Sequence, residues 1–449
     1  MIIRNETIRE LVKTRYTPAD IDRIRDLLDR HCVLHLPALS GGLFSAALTT
    51  PETRHTGYAN VWVRDNIHVA HALLMTGRAQ EAVRTARALA AHFERQGDRF
   101  EAVIADPASA TEAMNRPHIR FDGAAERDIE ETWPHAQNDA LGYFLWFYCR
   151  LARHGLVTVG EREAEMIARF PRYFSAIRYW EDEDSGHWEE VRRISAASIG
   201  AVTAGLRELK TLLAGPEPPA ALRARVRVAS VDALLSVGRA RLNTLLPFEC
   251  LQPDPQKKRL YDAALLFLIH PLEVAEGPAA ERILANIATH LQGDFGIKRY
   301  PGDSFWSADY WKNFKAEDRT GDLSGGTALR DRFFIPGTEA QWCIFDPIVS
   351  VIYGNRYQNF GRIEDRHRQI LHLNRSLGQI TGENARCGFG PGQIRIGPFH
   401  CPELYHVETV ESGAPEVQSS EATPLLWTRA NLSLALGMMA QSLRKTRGG

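Results

Sequence analysis

The chain has 449 residues, with 54 Lys plus Arg against 55 Asp plus Glu and a formal net charge of −1. That balance excludes the basic footprint of a nucleic-acid or anionic-membrane binder, and no stretch approaches the roughly 18 apolar residues of a membrane span. Arg4, Glu6, Arg9 and Glu10 interrupt the apolar run that a signal peptide needs, while Cys32, Cys149, Cys250, Cys343, Cys387 and Cys401 lack metal-ligand spacing and read as free thiols of a reducing cytoplasm.

In chain order the first clear element is "TPADIDRIRDLLDRHC", with Thr17 as cap, Pro18 at the first helical position and apolar residues at Ile21, Ile24, Leu27 and Leu28. Helical periodicity then recurs at about 66–77, 79–96, 136–154, 161–179, 196–213, 220–240, 258–270, 279–291, 339–353, 360–377 and 424–443. "ALGYFLWFYCRLA" (140–152) and "AALLFLIHPL" (263–272) are apolar most of the way round, as buried helices are. Strand signals are confined to "CVLHLP" (32–37) and "GQIRIG" (392–397), and the Pro-rich "AGPEPPA" (214–220) reads as a loop between helices. Neither GxGxxG nor GxxxxGK[ST] occurs, which argues against nucleotide-binding α/β folds. The pattern predicts an all-α fold: an (α/α)6 barrel of six helical hairpins with a few short strands in its loops, or a stacked helical solenoid. Residues 1–449 are expected to form one domain, with 1–40 a helical segment packed on it.

Between the helices lie clusters rich in Trp, Tyr, Arg, Asp and Glu: "GYANVWVRDNIHVA" (57–70), "IRFDG" (119–123), "ETWPHAQNDALGY" (131–143), "GHWEEVRR" (186–193), "GIKRYPGDSFW" (296–306), "GTEAQWCIFDP" (337–347) and "CPELYHVE" (401–408). Each taken singly has a purely structural explanation, as helix caps, surface pairs or buried rings. Together, at the ends of successive hairpins, they suit a sugar: rings stack on pyranose faces, and paired Arg and Asp meet vicinal hydroxyls. The long polar run 306–336 is expected to form a lid or subsite wall.

The order of these clusters resembles the successive motifs of glycoside hydrolase family 15, the glucoamylases, and the homologous domain of the phosphorylase kinase alpha and beta regulatory subunits. The resemblance spans roughly residues 40 to 440 and implies an (α/α)6 barrel acting on a small carbohydrate without metal or other cofactor. It implies an inverting exo-acting α-glucosidase that releases β-glucose from the non-reducing end of α-glucosides or oligosaccharides. Residue by residue it implies that Trp62, Arg64 and Asp65 hold the terminal sugar, that Trp133 walls the scissile bond, that Glu189 is the general acid beside Trp188 and Glu190, and that Arg299 and Tyr300 contact sugar. Asn138 and Asp139 are further candidate sugar contacts, and Glu403 in "CPELYH" best matches the base.

Glucoamylases carry Glu-Gln at the base motif where this chain has Glu403-Leu404, so Glu408 and Glu411 in "HVETVESG" remain rivals. An inverting glycosidase needs a protonated acid and an opposed carboxylate about 6.5–9.5 Å apart. Trp188 and the adjacent Glu190 are expected to keep Glu189 protonated by desolvation and repulsion. Two alternatives stay open: a noncatalytic carbohydrate-binding or regulatory module, and an inverting phosphorylase whose cationic cradle would come from Lys298 with Arg299 or Arg192 with Arg193. A starch-binding domain, an N-terminal β-sandwich and a prenylation motif are all expected to be absent; linkage preference is undetermined, and a homo-oligomer is compatible with the sequence.

Overall fold

The computed structural model describes residues 2–322, 324–410 and 412–445. Two concentric rings of helices account for most of them. The inner ring runs Val63–Met75, Asn138–Arg153, Ala196–Leu213, Leu266–Ile269, Phe345–Phe360 and Leu426–Lys445. Each helix touches the next, and the last returns to the first, so the ring closes. Thirteen of the sixteen residues of Asn138–Arg153 and fifteen of the eighteen of Ala196–Leu213 are buried, as a helix enclosed on all sides requires. Closure into a barrel decides against the open solenoid.

The outer ring comprises Ala79–Arg95, Glu161–Ala176, Val228–Leu245, Gly277–Asn286, Ile363–Gly378 and Pro18–Arg30. Its helices are amphipathic: Ala79–Arg95 buries Ala82, Ala86, Leu89 and Phe93 and turns its charges outward. Pro18–Arg30 starts as its sequence predicts, with the Thr17 hydroxyl accepting from the Asp20 amide and the Asp20 carboxylate accepting from the Thr17 amide. It packs on Leu426–Lys445.

Inner helices approach most closely at two glycines. A Cβ on Gly142 would lie 2.4 Å from the Ala201 carbonyl carbon and the Val202 nitrogen, and one on Gly205 would lie 2.8 Å from the Gly142 carbonyl oxygen. Only glycine lets Asn138–Arg153 and Ala196–Leu213 meet backbone to backbone.

Several elements depart from the periodicity. The stretch 32–37 forms no strand, because turn hydrogen bonds from Val33 to the Leu28 carbonyl and from His35 to Cys32 consume its backbone. The apolar run 258–270 yields only Ala263–Leu265 and Leu266–Ile269, since Pro271 forces His270 into extended backbone. The 220–240 pattern breaks at extended Val226, giving Ala220–Arg225 and Val228–Leu245. A hairpin of Leu404–Thr409 with Pro415–Ser419, pairing Tyr405 with Ser419, is absent from the sequence expectation, and Gln341–Trp342 extends it into a three-stranded sheet.

Candidate active site

The loops preceding the inner helices converge on one pocket of about 840 Å³ that is open to solvent. Each inner helix is entered from this side, so their N-termini, the partially positive ends, gather beneath it.

The acid side is a short hairpin. Asp184 and Arg193 exchange backbone hydrogen bonds of 3.0 and 2.9 Å, closing a loop whose tip is a 3-10 turn, Gly186–Trp188. Glu189 follows in the left-handed region at φ 58, a conformation costly for a side chain with Cβ and common where function fixes geometry. Its Oε1 accepts from the Trp62 indole at 2.8 Å and from Arg64 Nη2 at 3.2 Å. Burial raises the pKa of Glu189, against the pull of Arg64 and Arg120.

Glu190, one residue on, enters opposite surroundings. Its Oε1 accepts from Arg299 at 2.9 Å and Arg330 at 2.6 Å, its Oε2 from Arg259 at 3.1 Å and the Tyr300 hydroxyl at 2.6 Å. Burial opposes ionisation, yet the guanidiniums of Arg299, Arg330 and Arg259 together hold it well below the usual carboxylate range. Glu190 is therefore a neutralised anion, and the lift on Glu189 comes from burial in place of the expected repulsion.

Glu403 ends the loop before Leu404–Thr409. Its Oε1 accepts from the Tyr58 hydroxyl at 2.6 Å and its Oε2 from Ser420 at 3.2 Å, and burial pushes its pKa up to about 7 against those two donors. Asp65, which accepts from its own backbone amide, is likewise pushed up to about 7 by burial, with Arg64 opposing. Trp62 and Trp133 form an edge-to-face wall, their centroids 6.0 Å apart, and the Arg120 guanidinium lies 3.8 Å over Trp133.

Residues 33–310 match the sequence profile of glycosyl hydrolases family 15. The chain belongs to glycosyl hydrolase family 15. Among curated proteins it is similar to the lipoprotein YgeQ of Escherichia coli K12, 26% identical over 206 residues that cover 41% of this chain and 78% of that protein. It is also similar to the probable phosphorylase b kinase regulatory subunit alpha of Caenorhabditis elegans, 24% identical over 310 residues; these are 64% of this chain but 24% of that subunit, so the chain spans about a quarter of its length. A glycosidase variant solved in complex with glucose superposes with TM-score 0.63 at 19% identity, covering 95% of this chain and 98% of its own. The glucoamylase of Saccharomycopsis fibuligera superposes at 0.58 with 13% identity over 97% of both chains. These likenesses establish the (α/α)6 barrel.

In this family-15 chain, Trp62, Arg64, Asp65, Trp133, Trp188, Glu189, Glu190, Arg299 and Glu403 all line the pocket. Asn138, Asp139 and Tyr300 do not. Asn138 donates to Asp182 at 2.8 Å, and Asp139, fully buried, accepts from Arg64 at 2.8 Å and lies 3.3 Å from His187, so both support the pocket from beneath. Tyr300 reaches the pocket through Glu190. Glu408 is buried on its strand, accepting from the Trp311 amide at 2.8 Å, away from the pocket; Glu411 lies outside the described residues.

Neither proposed cationic pair forms a free cradle in the pocket. Lys298 is paired with Glu339 at 2.6 Å, Arg299 with Asp303 at 2.6 Å, Arg192 donates to the Thr111 carbonyl, and Arg193 faces a different cavity. Of the run 306–336, Thr320, Gly321, Asp322 and Arg330 line the pocket and so form part of its wall. Sequence reasoning missed Tyr58 and Arg330 as individual residues, although both fall in segments it singled out. Among the described residues no group of His, Cys, Asp or Glu could hold a metal ion, and no helix is long and apolar enough to cross a membrane.

Proposed function

We propose that the protein is an inverting, exo-acting α-glucosidase in which Glu189 is the general acid and Glu403 the base. The observation that carries this reading is the presence in one pocket of two carboxyls, Glu189 half-buried and Glu403 buried, each raised above its ordinary range and each held by a different aromatic donor. Family membership and the likeness to a glycosidase in complex with glucose support a carbohydrate in this pocket.

Trp62 and Arg64 occupy Oε1 of Glu189, so the proton resides on Oε2 and passes to the glycosidic oxygen as the bond to C1 breaks. Glu403 takes a proton from water, whose oxygen attacks C1 from the opposite face. The product is β-glucose, the leaving sugar departs neutral, and solvent returns the proton from Glu403 to Glu189. Asp65, on the pocket wall, accepts from hydroxyls of the terminal sugar, while Arg299 donates and Trp133 stacks. The six unpaired thiols fit a reducing compartment, and we assign the enzyme to the cytoplasm.

A second reading, a noncatalytic regulatory module, is favoured by the likeness to the kinase subunit and by Leu404 after Glu403. Calorimetry and single-turnover kinetics on Glu189→Gln and Glu403→Gln separate the two. The enzyme reading requires that both variants bind glucose as the wild type does and lose turnover. Wild-type protein that binds glucose but cleaves no α-glucoside would establish the module.

A further inference from the structure

Glu190 also lines a second cavity of about 1440 Å³, open to solvent, and it is the one described residue common to both. Arg193 lines this second cavity. Its backbone closes the hairpin with Asp184, but its side chain, on a residue 6% exposed, makes no hydrogen bond or ion pair among the described residues, and its Nε is buried and unsatisfied. A buried guanidinium without an acceptor is costly and rare, because each N–H has left water without replacing its bond.

The other charged groups on the lining are accounted for. Arg259 donates to Glu190 and Asp262 and lies 3.2 Å over the Tyr300 ring. Glu190 is matched by its guanidiniums. Asp331 accepts from the hydroxyls of Ser304 and Thr327. Lys258, exposed at the rim, has no ion pair among the described residues. Arg193, which feels Glu190 and Asp262 only at a distance and is repelled by Arg259, and Lys258 thus face the cavity without a hydrogen-bonded counter-ion, and a phosphate ester carries about two negative charges at neutral pH. A guanidinium fork matches two phosphate oxygens.

We propose that this cavity is an anion site, separate from the sugar-cleaving pocket, that takes the phosphate of a small soluble ligand on Arg193 with Lys258 at its rim. Its volume exceeds that of an inorganic ion, and Tyr261 beside it offers a surface for the rest of the molecule.

The test is a melting-temperature and calorimetric titration of the full chain with inorganic phosphate and with a hexose monophosphate, against chloride at matched ionic strength. Wild type should show a saturable stabilisation beyond chloride. Arg193→Met should weaken the interaction by about 10- to 100-fold, as loss of a hydrogen bond to a charged group does, while melting no lower than wild type without anion, since an unpaired buried charge is removed. If that variant folds poorly, Arg193→Lys decides, because it should retain part of the affinity. Tighter binding of the hexose phosphate marks a sugar phosphate as ligand; equal binding marks free phosphate. No response beyond chloride, or an equal response in wild type and Arg193→Met, would overturn the proposal.

Discussion

Glu189 and Glu190 are consecutive in the chain and electrostatic opposites: burial lifts the first, while Arg299, Arg330 and Arg259 hold the second ionised. The left-handed backbone at Glu189 sends the two side chains into these separate surroundings. One tripeptide thereby supplies both a candidate proton donor and the anchor of an arginine cluster.

Replacing each glutamate by glutamine should therefore have opposite consequences for stability. Glu190→Gln leaves buried guanidiniums without their shared anion and should cost about 3–5 kcal/mol in urea unfolding. Glu189→Gln removes a carboxyl that burial already disfavours as an anion and should be neutral or mildly stabilising at pH 7. The contribution of Glu190 is present above the ordinary carboxylate range and is lost only as pH falls through its depressed value.

Asp65, Glu403 and Glu249 are all pushed up to about 7 by burial. Each is protonated longer in the folded state than in the unfolded chain. Their contribution is complete below the unfolded carboxylate range and is lost as pH rises through 7, by at most roughly 3 kcal/mol for each glutamate and roughly 4 kcal/mol for Asp65. The unfolding free energy of wild type relative to Asp65→Asn should fall from pH 4 to 8; the comparison cancels the buried histidines His92, His187 and His270, pushed down to about 4, whose contribution rises with pH.

Tyr58 reaches Glu403 from 345 residues away in the chain, and its hydroxyl favours the ionised carboxylate. In Tyr58→Phe the base should titrate higher, shifting the acid limb of the kcat/KM profile to higher pH. The rate should drop about 10-fold or more, matching the ~1.5 kcal/mol or more of a hydrogen bond to a charged group. An unmoved acid limb would detach Tyr58 from the base.

Gly142 is the tightest backbone-to-backbone approach between inner helices. Gly142→Ala should lower unfolding free energy by about 3 kcal/mol, a typical cost of overpacking, read from the urea midpoint. A midpoint equal to wild type would mean that the two helices can separate without loss.

The ring of hairpins was legible because inner helices are apolar all round and outer ones on one face, a contrast that survives in any window of Asn138–Arg153 against Ala79–Arg95. Trp62, Arg64 and Asp65, and Trp188 with Glu189, were legible as contiguous motifs beside helix starts, and they line the pocket. Tyr58, Arg259 and Arg330 were not, because their roles arise from contacts across the fold with Glu403 and Glu190. Asn138 and Asp139 misled because a polar pair at a helix start looks alike whether it faces a ligand or, as here, Asp182 and Arg64. The origin of the lift on Glu189 was equally hidden, since the charges that silence Glu190 come from three segments far apart in the chain.

The central claim is inversion by Glu189 and Glu403. Proton NMR of the sugar released at early times from α-linked glucose disaccharides and oligosaccharides tests it most directly, with Glu189→Gln and Glu403→Gln run beside the wild type. β-Glucose should appear first, with each substitution suppressing its release severely. Initial α-glucose, or release that persists undiminished in either variant, would contradict it.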